Sequence, residues 1–335
     1  MIEAKNLYVH FPFCRAKCSY CALHSRAGST TEERENYVKK IASQINAEFS
    51  SHTKLKTVYF GGGSPALCNL APLGKPLSKL LANDAEFTVE LNPLDVTEEK
   101  LDEIALIGAN RISMGVQSLD DKTLEKMGRP YTAREARKAF EMVHRRFPNS
   151  GIDIIVGYPE DKSDYTELAD WSLTHISVYS LILEPGTRIT RETNGMLDDD
   201  IVMNRLSEVS QFLQNAGFIR YEVSNYAKKG HECRHNLAVW FGEDYAGFGE
   251  GAYGRLGLNR TGPQGTTPLD EKADKIERTI FRLRTRYGLE SAEFPEWREK
   301  LDYFVTRQLL TRDGTIYALT SRGFEICDSI LEAIL

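Results

Sequence analysis

The sequence contains little cysteine, no long apolar run and no excess of positive charge. Its six cysteines among 335 residues are too few and too unevenly placed for a disulfide framework. No apolar stretch approaches the roughly 18 residues that span a bilayer, and the N-terminus lacks the pattern of a signal peptide. The formal net charge of −6 argues against a nucleic-acid partner, because phosphate binding favours a basic surface. We therefore expect a cytoplasmic protein with no transmembrane segment.

Three of the cysteines, Cys14, Cys18 and Cys21, are clustered near the N-terminus. Three thiolates can hold three irons of a [4Fe–4S] cluster and leave the fourth iron open to a small molecule. A structural zinc site usually needs two separated pairs of ligands, and the sequence has no second Cys-x2-Cys pair. His24 follows closely, so a Cys3His zinc knuckle stays open as the alternative, as do ordinary core thiols. The motifs farther along the chain, described below, favour the cluster.

Hydrophobic patterning predicts an α/β fold in the first two thirds of the chain. Short β-branched or aromatic runs alternate with longer amphipathic patterns, which is typical of βα units around a parallel sheet. Six such units give an open, partial (β/α)6 barrel. The predicted strands span residues 6–10, 57–60, 87–91, 111–114, 151–155 and 175–181. The predicted helices span residues 31–49, 66–81, 97–107, 134–146, 163–173 and 199–216.

The pattern changes after about Gly217, and we expect a separate C-terminal domain at residues 226–335, following a first domain at residues 1–225. Within it, residues 226–270 are predicted to be a loop region and residues 271–335 a small winged-helix-like α+β module. The finer predictions are an extended segment at 220–226, turns at 244–257, a linker at 262–270, helices at 272–287, 295–307 and 321–335, and a hairpin at 309–319 that turns at Asp313 and Gly314.

Chemically informative residues follow several of the predicted strands, where a barrel of this kind collects its reactive groups. Gly61, Gly62 and Gly63, followed by Ser64, let the backbone approach a ligand closely, although a tight strand-to-helix turn is the alternative explanation. Glu90 ends an apolar strand and needs a polar cavity or a partner, the alternative being an ion pair with a neighbouring helix. Gln117, Arg129 and Asp153 add acceptors and a cation, which suit a nucleoside amino acid.

The cysteine motif, placed after the apolar run at residues 7–11, resembles the radical S-adenosylmethionine (SAM) superfamily. Farther motifs make the sequence similar to oxygen-independent coproporphyrinogen III oxidases (HemN) and the related HemW haem chaperones. These motifs lie at residues 7–10, 61–65, 111–118, 153–159, 181–187, 221–226 and 235–237. The resemblance implies a [4Fe–4S] cluster with one open iron that binds SAM. It also implies that one electron from the cluster splits SAM into methionine and a 5′-deoxyadenosyl radical.

The resemblance further assigns roles to individual positions. Tyr8, Gly62 and Glu90 match residues that contact the cluster-bound SAM. A second set matches residues that face a second SAM in the oxidase; its members are Tyr20, Gly63, Ser64, Gln117, Arg129 and Asp153. The C-terminal winged module also matches the family.

Two departures favour the HemW branch. The oxidases carry a fourth cysteine shortly after the third and a long N-terminal extension, whereas here Ala22 and Leu23 follow Cys21 and the first cysteine is at position 14. The branch has a His-Asn-x-x-Tyr-Trp motif implicated in haem binding, which begins here at His235 and carries Val239 in place of the tyrosine. We interpret His235 as a haem ligand, and the alternative interpretation is a loop histidine that only forms hydrogen bonds. Cys233 is an alternative soft ligand for the haem iron.

The resemblance predicts a haem chaperone that binds haem and SAM and delivers haem to an acceptor protein, with a separate electron donor. The alternative is an enzyme, an oxygen-independent coproporphyrinogen III oxidase that uses SAM to decarboxylate two propionates of a porphyrinogen. A third hypothesis, a radical modifier of RNA or protein, is disfavoured by the acidic balance of the chain.

Overall fold

The computed structural model describes all residues from Met1 to Leu335. It contains seventeen strands, twelve α-helices and four short 3₁₀ helices. The strands are β1 (Asn6–Phe11), β2 (Phe13–Cys14), β3 (Arg26–Ala27), β4 (Leu55–Gly62), β5 (Leu81–Leu91), β6 (Arg111–Gln117), β7 (Ser150–Val156), β8 (His175–Ser180), β9 (Ile219–Arg220), β10 (Asn225–Ala227), β11 (Tyr245–Phe248), β12 (Gly254–Leu256), β13 (Asn259–Gly262), β14 (Gly265–Pro268), β15 (Leu289–Glu290), β16 (Leu310–Asp313) and β17 (Ile316–Leu319).

The α-helices are α1 (Thr31–Glu48), α2 (Ala71–Leu80), α3 (Glu98–Leu106), α4 (Asp121–Met127), α5 (Ala133–Arg146), α6 (Arg188–Glu192), α7 (Asp199–Asn215), α8 (Arg234–Trp240), α9 (Glu271–Leu283), α10 (Arg298–Thr306), α11 (Ser321–Glu325) and α12 (Cys327–Ile334). The 3₁₀ helices are Pro65–Leu67, Pro93–Asp95, Tyr165–Asp170 and Pro295–Trp297. None of the helices combines the length and the apolar composition that crossing a membrane requires.

A twelve-stranded sheet forms the centre, in the order β14-β13-β12-β11-β1-β4-β5-β6-β7-β8-β10-β9. Strands β1, β4, β5, β6, β7 and β8 pair in parallel, in the order of the chain. This confirms the predicted α/β class with its six parallel strands. The outer strands β14 and β9 do not pair with each other, so the sheet is open. Because the six strands run in one direction, their carboxyl ends lie along one edge.

Each parallel strand presents two chemically different faces, because successive side chains point to opposite sides. In β1, Leu7, Val9 and Phe11 are fully buried and belong to a hydrophobic core of 52 residues. Tyr8 and His10 point to the other side. The polar residues that share this second face on the neighbouring strands are Tyr59, Glu90, Ser113 and Asp153. The sheet therefore carries an apolar face against the helices and a polar face opposite.

Local sequence signals determine where helices α1 and α5 begin. Thr30 accepts a hydrogen bond from the Glu33 amide, and the Glu33 carboxylate accepts one from the Thr30 amide. Thr132 and Glu135 make the same reciprocal pair at the start of α5. Such capping boxes satisfy amides that lack a partner within the helix. Both starts agree with the predicted helices to within one residue.

The C-terminal part has a hydrophobic core of its own, made of 13 buried residues between Leu283 and Ile334. Helices α9, α10, α11 and α12 surround a three-stranded sheet in the order β15-β17-β16. The predicted hairpin is confirmed, since β16 and β17 are antiparallel and turn at Gly314, whose φ is 59°. This is the small α+β module that the sequence predicts.

The predicted helix at residues 163–173 is wrong, because only the 3₁₀ turn Tyr165–Asp170 forms there. Side chains compete with a helix for the backbone in this segment. Ser163 accepts a hydrogen bond from the Leu119 amide, and Asp164 accepts one from the Thr166 amide. The segment is held to the loop after β6 instead of continuing as an α-helix.

The predicted turns at 244–257 and linker at 262–270 are also wrong, because residues 245–268 extend the central sheet. Strand β11 pairs in parallel with β1, and β12, β13 and β14 follow as antiparallel neighbours. Gly247 is required in β11, since a Cβ there would overlap the Tyr253 carbonyl. A partner strand more than 200 residues away in the chain stabilises β11, and glycine-rich local sequence does not reveal such a partner.

Other elements differ from the prediction in their extent. The helix predicted at 66–81 is a 3₁₀ turn followed by α2, and the last predicted helix is divided into α11 and α12. The extended segment at 220–226 is two short antiparallel strands, β9 and β10. Helix α8, within the region predicted as loop, was not predicted.

Candidate functional site

The three clustered cysteines lie on the loop that follows β1. Cys14 ends β2, and Cys18 accepts a hydrogen bond from the Cys21 amide at 3.3 Å. All three thiols are half-buried and free of disulfides. Burial raises the pKa of the Cys14 thiol, and the nearby Cys21 and Cys18 raise this pKa further. The three sulfurs are therefore neighbours with access to solvent.

The thiols do not converge on one point. No group of three or more His, Cys, Asp or Glu side chains is arranged to hold a single metal ion. A [4Fe–4S] cluster makes a different demand, because each thiolate binds a separate iron. Three neighbouring thiols on one segment are compatible with that demand.

The glycine loop after β4 packs directly on the cysteine segment. The Gly63 amide donates to the Phe11 carbonyl at 2.7 Å. A Cβ on Gly63 would lie 2.9 Å from Cys14 Sγ and would overlap the Phe13 carbonyl. Gly62, with a φ of 110°, leaves room for the His10 ring, which a Cβ would approach to 2.6 Å. The glycines are needed for this close approach of two backbones.

Ser64 lies at the end of the same loop and is buried. Its hydroxyl donates to Asp95 Oδ2 at 2.5 Å, and Asp95 also forms an ion pair with Arg15. The Ser64 hydroxyl is therefore already bound to a protein carboxylate.

Glu90 is the penultimate residue of β5 and lies on the polar face of the sheet. Its carboxylate accepts hydrogen bonds from the Tyr59 hydroxyl at 2.8 Å and from the Gly62 amide at 3.1 Å. Burial, and then the neighbouring Asp153, raise the pKa of Glu90 to about 7. Asp153 accepts from the Ser113 hydroxyl at 3.1 Å, and burial raises its pKa as well. Two carboxyl groups of weakened acidity thus line one face.

Arg129 and Tyr20 meet at the far side of the cysteine loop. The Arg129 guanidinium donates to the Tyr20 hydroxyl at 2.8 Å. Its Nε is buried and has no hydrogen-bond partner. A buried donor without a partner costs free energy unless a ligand or water satisfies it. Arg129 can therefore donate a hydrogen bond to a ligand carboxylate.

Gln117 ends β6 with a backbone φ of 74°, in the left-handed region. The pairing of β6 with β7 shifts register between Gly115 and Gln117. A Cβ on Gly115 would come to 2.5 Å from Gln117 Nε2, so the carboxamide folds back over the glycine. Strained backbone of this kind occurs often at functional sites.

A cavity of about 800 Å³ opens beside these groups, on the polar face of the sheet. It brings together Tyr8, Glu90 and His235 of the predicted site residues. The cysteine loop contributes to its wall through Ala22, Leu23 and His24, and the other lining residues are His10, Tyr59, Tyr179, Glu222, Ser224, Asn225, Asn236, Val239, Trp240, Tyr245, Gly251, Tyr253, Pro263 and Gln264. The predicted residues outside this lining are Cys14, Cys18, Cys21, Tyr20, Gly62, Gly63, Ser64, Gln117, Arg129 and Asp153.

His235 lies on helix α8 and is 4% exposed. Its Nδ1 is 2.8 Å from the Thr57 hydroxyl, and its ring lies 5.3 Å from that of Tyr59. Glu86 holds the start of the helix, because its carboxylate accepts from the amides of Arg234 and His235, each at 3.0 Å. Burial, and then the charge of Arg111, lower the pKa of His235 to about 3. The imidazole is therefore neutral at physiological pH.

A chain of hydrogen bonds determines which nitrogen of His235 carries the proton. The side-chain nitrogen Nδ2 of Asn6 donates a hydrogen bond to the backbone carbonyl of Asp244. The side-chain oxygen Oδ1 of Asn6 therefore faces Thr57 and accepts a hydrogen bond from its hydroxyl at 2.8 Å. The Thr57 oxygen must then accept from His235 Nδ1. The proton lies on Nδ1, and Nε2 keeps its lone pair. A neutral imidazole with a free Nε2 is a competent metal ligand.

The sequence analysis missed Tyr59, Thr57, Glu86, Arg111 and Glu222. The sequence does carry a signal for Glu86, Arg111 and Glu222. Each is a charged residue in an otherwise apolar segment, which is the same kind of evidence that identified Glu90. Glu86 lies in β5 and Arg111 begins β6, and Arg111 is fully buried with Nε and one Nη unpartnered. Glu222 is 1% exposed between β9 and β10. No local signal distinguishes Thr57 and Tyr59.

Comparisons with known proteins establish the class. The model of the radical SAM superfamily matches residues 8–172. Among solved structures, the coproporphyrinogen III oxidase HemN of Escherichia coli has a TM-score of 0.83 over 99% of this chain and 90% of that chain, at 18% identity. That likeness shows a shared fold. The match to the superfamily model, which includes the cysteine loop, indicates the radical SAM class, for which a [4Fe–4S] cluster and SAM are the implied cofactors.

The sequence relatives are more specific. The "Heme chaperone HemW" of Escherichia coli (strain K12) is 32% identical and the alignment covers 98% of each chain. The protein of that name from Mycobacterium tuberculosis (strain ATCC 25618 / H37Rv) is 31% identical over 98% of this chain and 94% of its own. This chain belongs to the HemW family.

Proposed function

We propose that this chain is a haem chaperone, which binds haem in the cavity with His235 as an axial ligand and passes it to an acceptor protein. The relatives that align along nearly the whole chain are named heme chaperones. A cavity of about 800 Å³ is in the range of sites that enclose a cofactor-sized ligand. Apolar and aromatic side chains, among them Leu23, Val239 and Trp240, supply contact for a macrocycle.

The observation that carries the proposal is the state of His235. Its Nδ1 proton is committed to Thr57, its Nε2 is free, and its pKa of about 3 keeps the ring neutral. An imidazole held through Nδ1 is oriented and made more basic as a metal ligand. Cys233 is a poorer candidate, because it is fully buried, its sulfur contacts Glu86, and burial raises its pKa to about 12.

We propose further that Cys14, Cys18 and Cys21 hold a [4Fe–4S] cluster with one open iron. SAM would bind beside the cluster and contact Tyr8, Gly62 and Glu90. A second set of residues would also contact SAM, and its members are Tyr20, Gly63, Ser64, Gln117, Arg129 and Asp153. When bound, the cluster supplies an electron to SAM. The neighbouring thiols, the glycine loop packed on Cys14 and the unpartnered Arg129 Nε support this assignment.

The proposal also includes the domain organisation of the chain and the proteins with which it exchanges electrons and haem. Residues 1–225 would carry the cluster and SAM sites and residues 226–335 the C-terminal domain, although β11 to β14 join the central sheet. An electron donor would reduce the cluster, and haem would come from and go to proteins of the cytoplasm. Three free thiols on an accessible loop suit a reducing compartment.

The alternative function is oxygen-independent coproporphyrinogen III oxidation, favoured by the fold shared with HemN. One sample tests both. The cluster-reconstituted protein is titrated anaerobically with haem and then given coproporphyrinogen III, SAM and a reductant. Stoichiometric haem binding without turnover supports the chaperone, and turnover to protoporphyrinogen IX contradicts it. His235→Ala should lose the Soret change, whereas His52→Ala, an exposed surface control, should keep it.

A further inference from the structure

Helix α8 begins without a cap of its own. Cys233 precedes the helix, and its side chain forms no capping hydrogen bond. The first amides of a helix have no partner within it, so they need acceptors from elsewhere. The Tyr221 hydroxyl accepts from the Cys233 amide at 3.3 Å, and the Glu86 carboxylate accepts from the amides of Arg234 and His235, each at 3.0 Å. Side chains from distant parts of the chain therefore fix the start of α8.

Glu86 lies in β5 at the point where the sheet meets α8. It is buried and pairs in register with Thr57 of β4. Thr57 binds the His235 ring at Nδ1, while Glu86 Oε1 binds the amide of the same residue. Oε1 also accepts from the Cys233 thiol at 3.5 Å, and Oε2 accepts from the Arg234 amide. Both carboxylate oxygens are thus bound to the first turn of α8.

The buried Arg111 supplies a positive charge beside Glu86. Its Nη1 lies 3.4 Å from the Thr88 hydroxyl. Thr88 follows Glu86 by two residues, so these two side chains share one face of β5. Burial by itself lowers the pKa of Arg111, but nearby groups, among them Cys233 and Glu86, raise it above its ordinary value. A buried carboxylate and a buried guanidinium placed in this way compensate each other's charge.

We infer that Glu86 is a positioning residue for the proposed haem ligand, because it fixes the first turn of α8 on β5, and that Arg111 balances its charge. This rests on the proposed function and adds to it the residue that sets the place of the ligand. His235 is the second residue of α8, so a shift of the first turn moves its imidazole as well. A metal site tolerates displacements of only about 0.5 Å in its ligands.

Replacing the carboxylate tests this role in the full-length protein. Glu86→Gln keeps the shape of the side chain, but its amide nitrogen cannot accept a hydrogen bond, so one amide of α8 loses its acceptor. We expect haem affinity, measured by Soret titration, to fall about 10- to 100-fold, as for other groups that orient a metal ligand. The visible spectrum at saturating haem should move toward that of His235→Ala mixed with haem. An unchanged affinity and spectrum would overturn the inference.

A double variant separates positioning from stability. Glu86→Gln leaves Arg111 without a compensating charge and should lower the melting temperature. Glu86→Gln combined with Arg111→Met removes both charges and should unfold at a higher temperature than Glu86→Gln alone. It should nevertheless keep the weak haem binding and the altered spectrum. A return to wild-type haem affinity in the double variant would contradict the inference, because Glu86 would then act through stability alone.

Glu103→Gln is the matched control. The Glu103 carboxylate accepts from the Leu70 amide at the start of α2, at 2.5 Å, and Glu103 does not line the cavity. This variant should keep the wild-type haem affinity and spectrum, and a loss equal to that in Glu86→Gln would count against a specific role of Glu86. If haem binds through His235 in the wild type and equally in Glu86→Gln, only this inference fails. If the wild type does not bind haem, the proposed function fails with it.

Discussion

The Thr57 hydroxyl and the His235 imidazole, 178 positions apart in the chain, are joined by a hydrogen bond of 2.8 Å. Thr57 belongs to β4 and His235 to α8, so this bond joins the central sheet to the helix that carries the proposed haem ligand. Its direction is determined by Asn6, which already takes the Thr57 proton. Thr57 therefore controls both the orientation and the tautomer of His235.

Replacing Thr57 by valine should weaken haem binding. The valine keeps the shape but removes the acceptor for Nδ1–H, so Nε2 is no longer held as the unprotonated nitrogen. We expect a loss of about 10- to 100-fold in haem affinity, as for other residues that orient a metal ligand. Haem titration measures the loss, and the visible spectrum reports the axial ligand. Thr57→Ser keeps the hydroxyl and should restore wild-type binding, and if it fails to do so the assignment is wrong.

The raised pKa of Glu90 should make stability depend on pH. Between the ordinary pKa of 4.5 and the folded value of about 7, the folded state binds more protons than the unfolded chain. The free energy of unfolding should therefore fall as pH rises through this window, by up to about 3 kcal/mol from Glu90, and stay constant above it. Urea unfolding from pH 4.5 to 8 measures the effect. Glu90→Gln should flatten this part of the curve, and parallel curves for the two proteins would refute the prediction.

Substituting Gly63 should disrupt the proposed cluster site. An alanine Cβ would overlap the Phe13 carbonyl and approach Cys14 Sγ to 2.9 Å. Either the glycine loop or strand β2 must therefore move. We expect Gly63→Ala to retain less than about half of the iron and sulfide that the wild type takes up. Gly74→Ala is the matched control, because its Cβ would meet Ile107 at an ordinary 3.4 Å within helix α2. Equal iron content in both variants would argue against the packing role of Gly63.

Removal of the Arg129 guanidinium should weaken SAM binding. Its Nε is buried without a partner, which suits the carboxylate of an amino-acid ligand. We expect Arg129→Met to bind SAM about 10- to 100-fold more weakly, the magnitude of a hydrogen bond to a charged group. Anaerobic calorimetry on the cluster-loaded protein measures this change. Arg137→Met on the surface of α5, where Arg137 pairs with Glu141, should have no effect, and an unchanged affinity in Arg129→Met would remove Arg129 from the site.

Much of the architecture could be predicted from local patterns. The six parallel strands begin and end close to their predicted positions, apart from the earlier start of β5, because each is a continuous apolar run bounded by turn residues. Glu90 and Asp153 were found because a carboxyl group inside an apolar strand must face something polar. The same argument applied to Glu86 and Arg111 would have found the two charges beside the proposed haem ligand.

The remaining features depend on contacts between distant parts of the chain. Strand β11 has a glycine-rich sequence that predicts turns, yet it pairs with β1 along four residues. The cavity itself joins residues from the cysteine loop, the sheet, α8 and the β13–β14 turn. No periodicity within one segment reports such neighbours.

The sequence by itself determined the cysteine spacing, the α/β class and the membership of a family, since these follow from residue types at short range and from similarity along the chain. Only the tertiary structure decided which nitrogen of His235 is free and that Ser64 is bound to Asp95. The physical reason is that hydrogen-bond direction, burial and local charge depend on all the groups that surround a site, and the fold brings these together from across the chain.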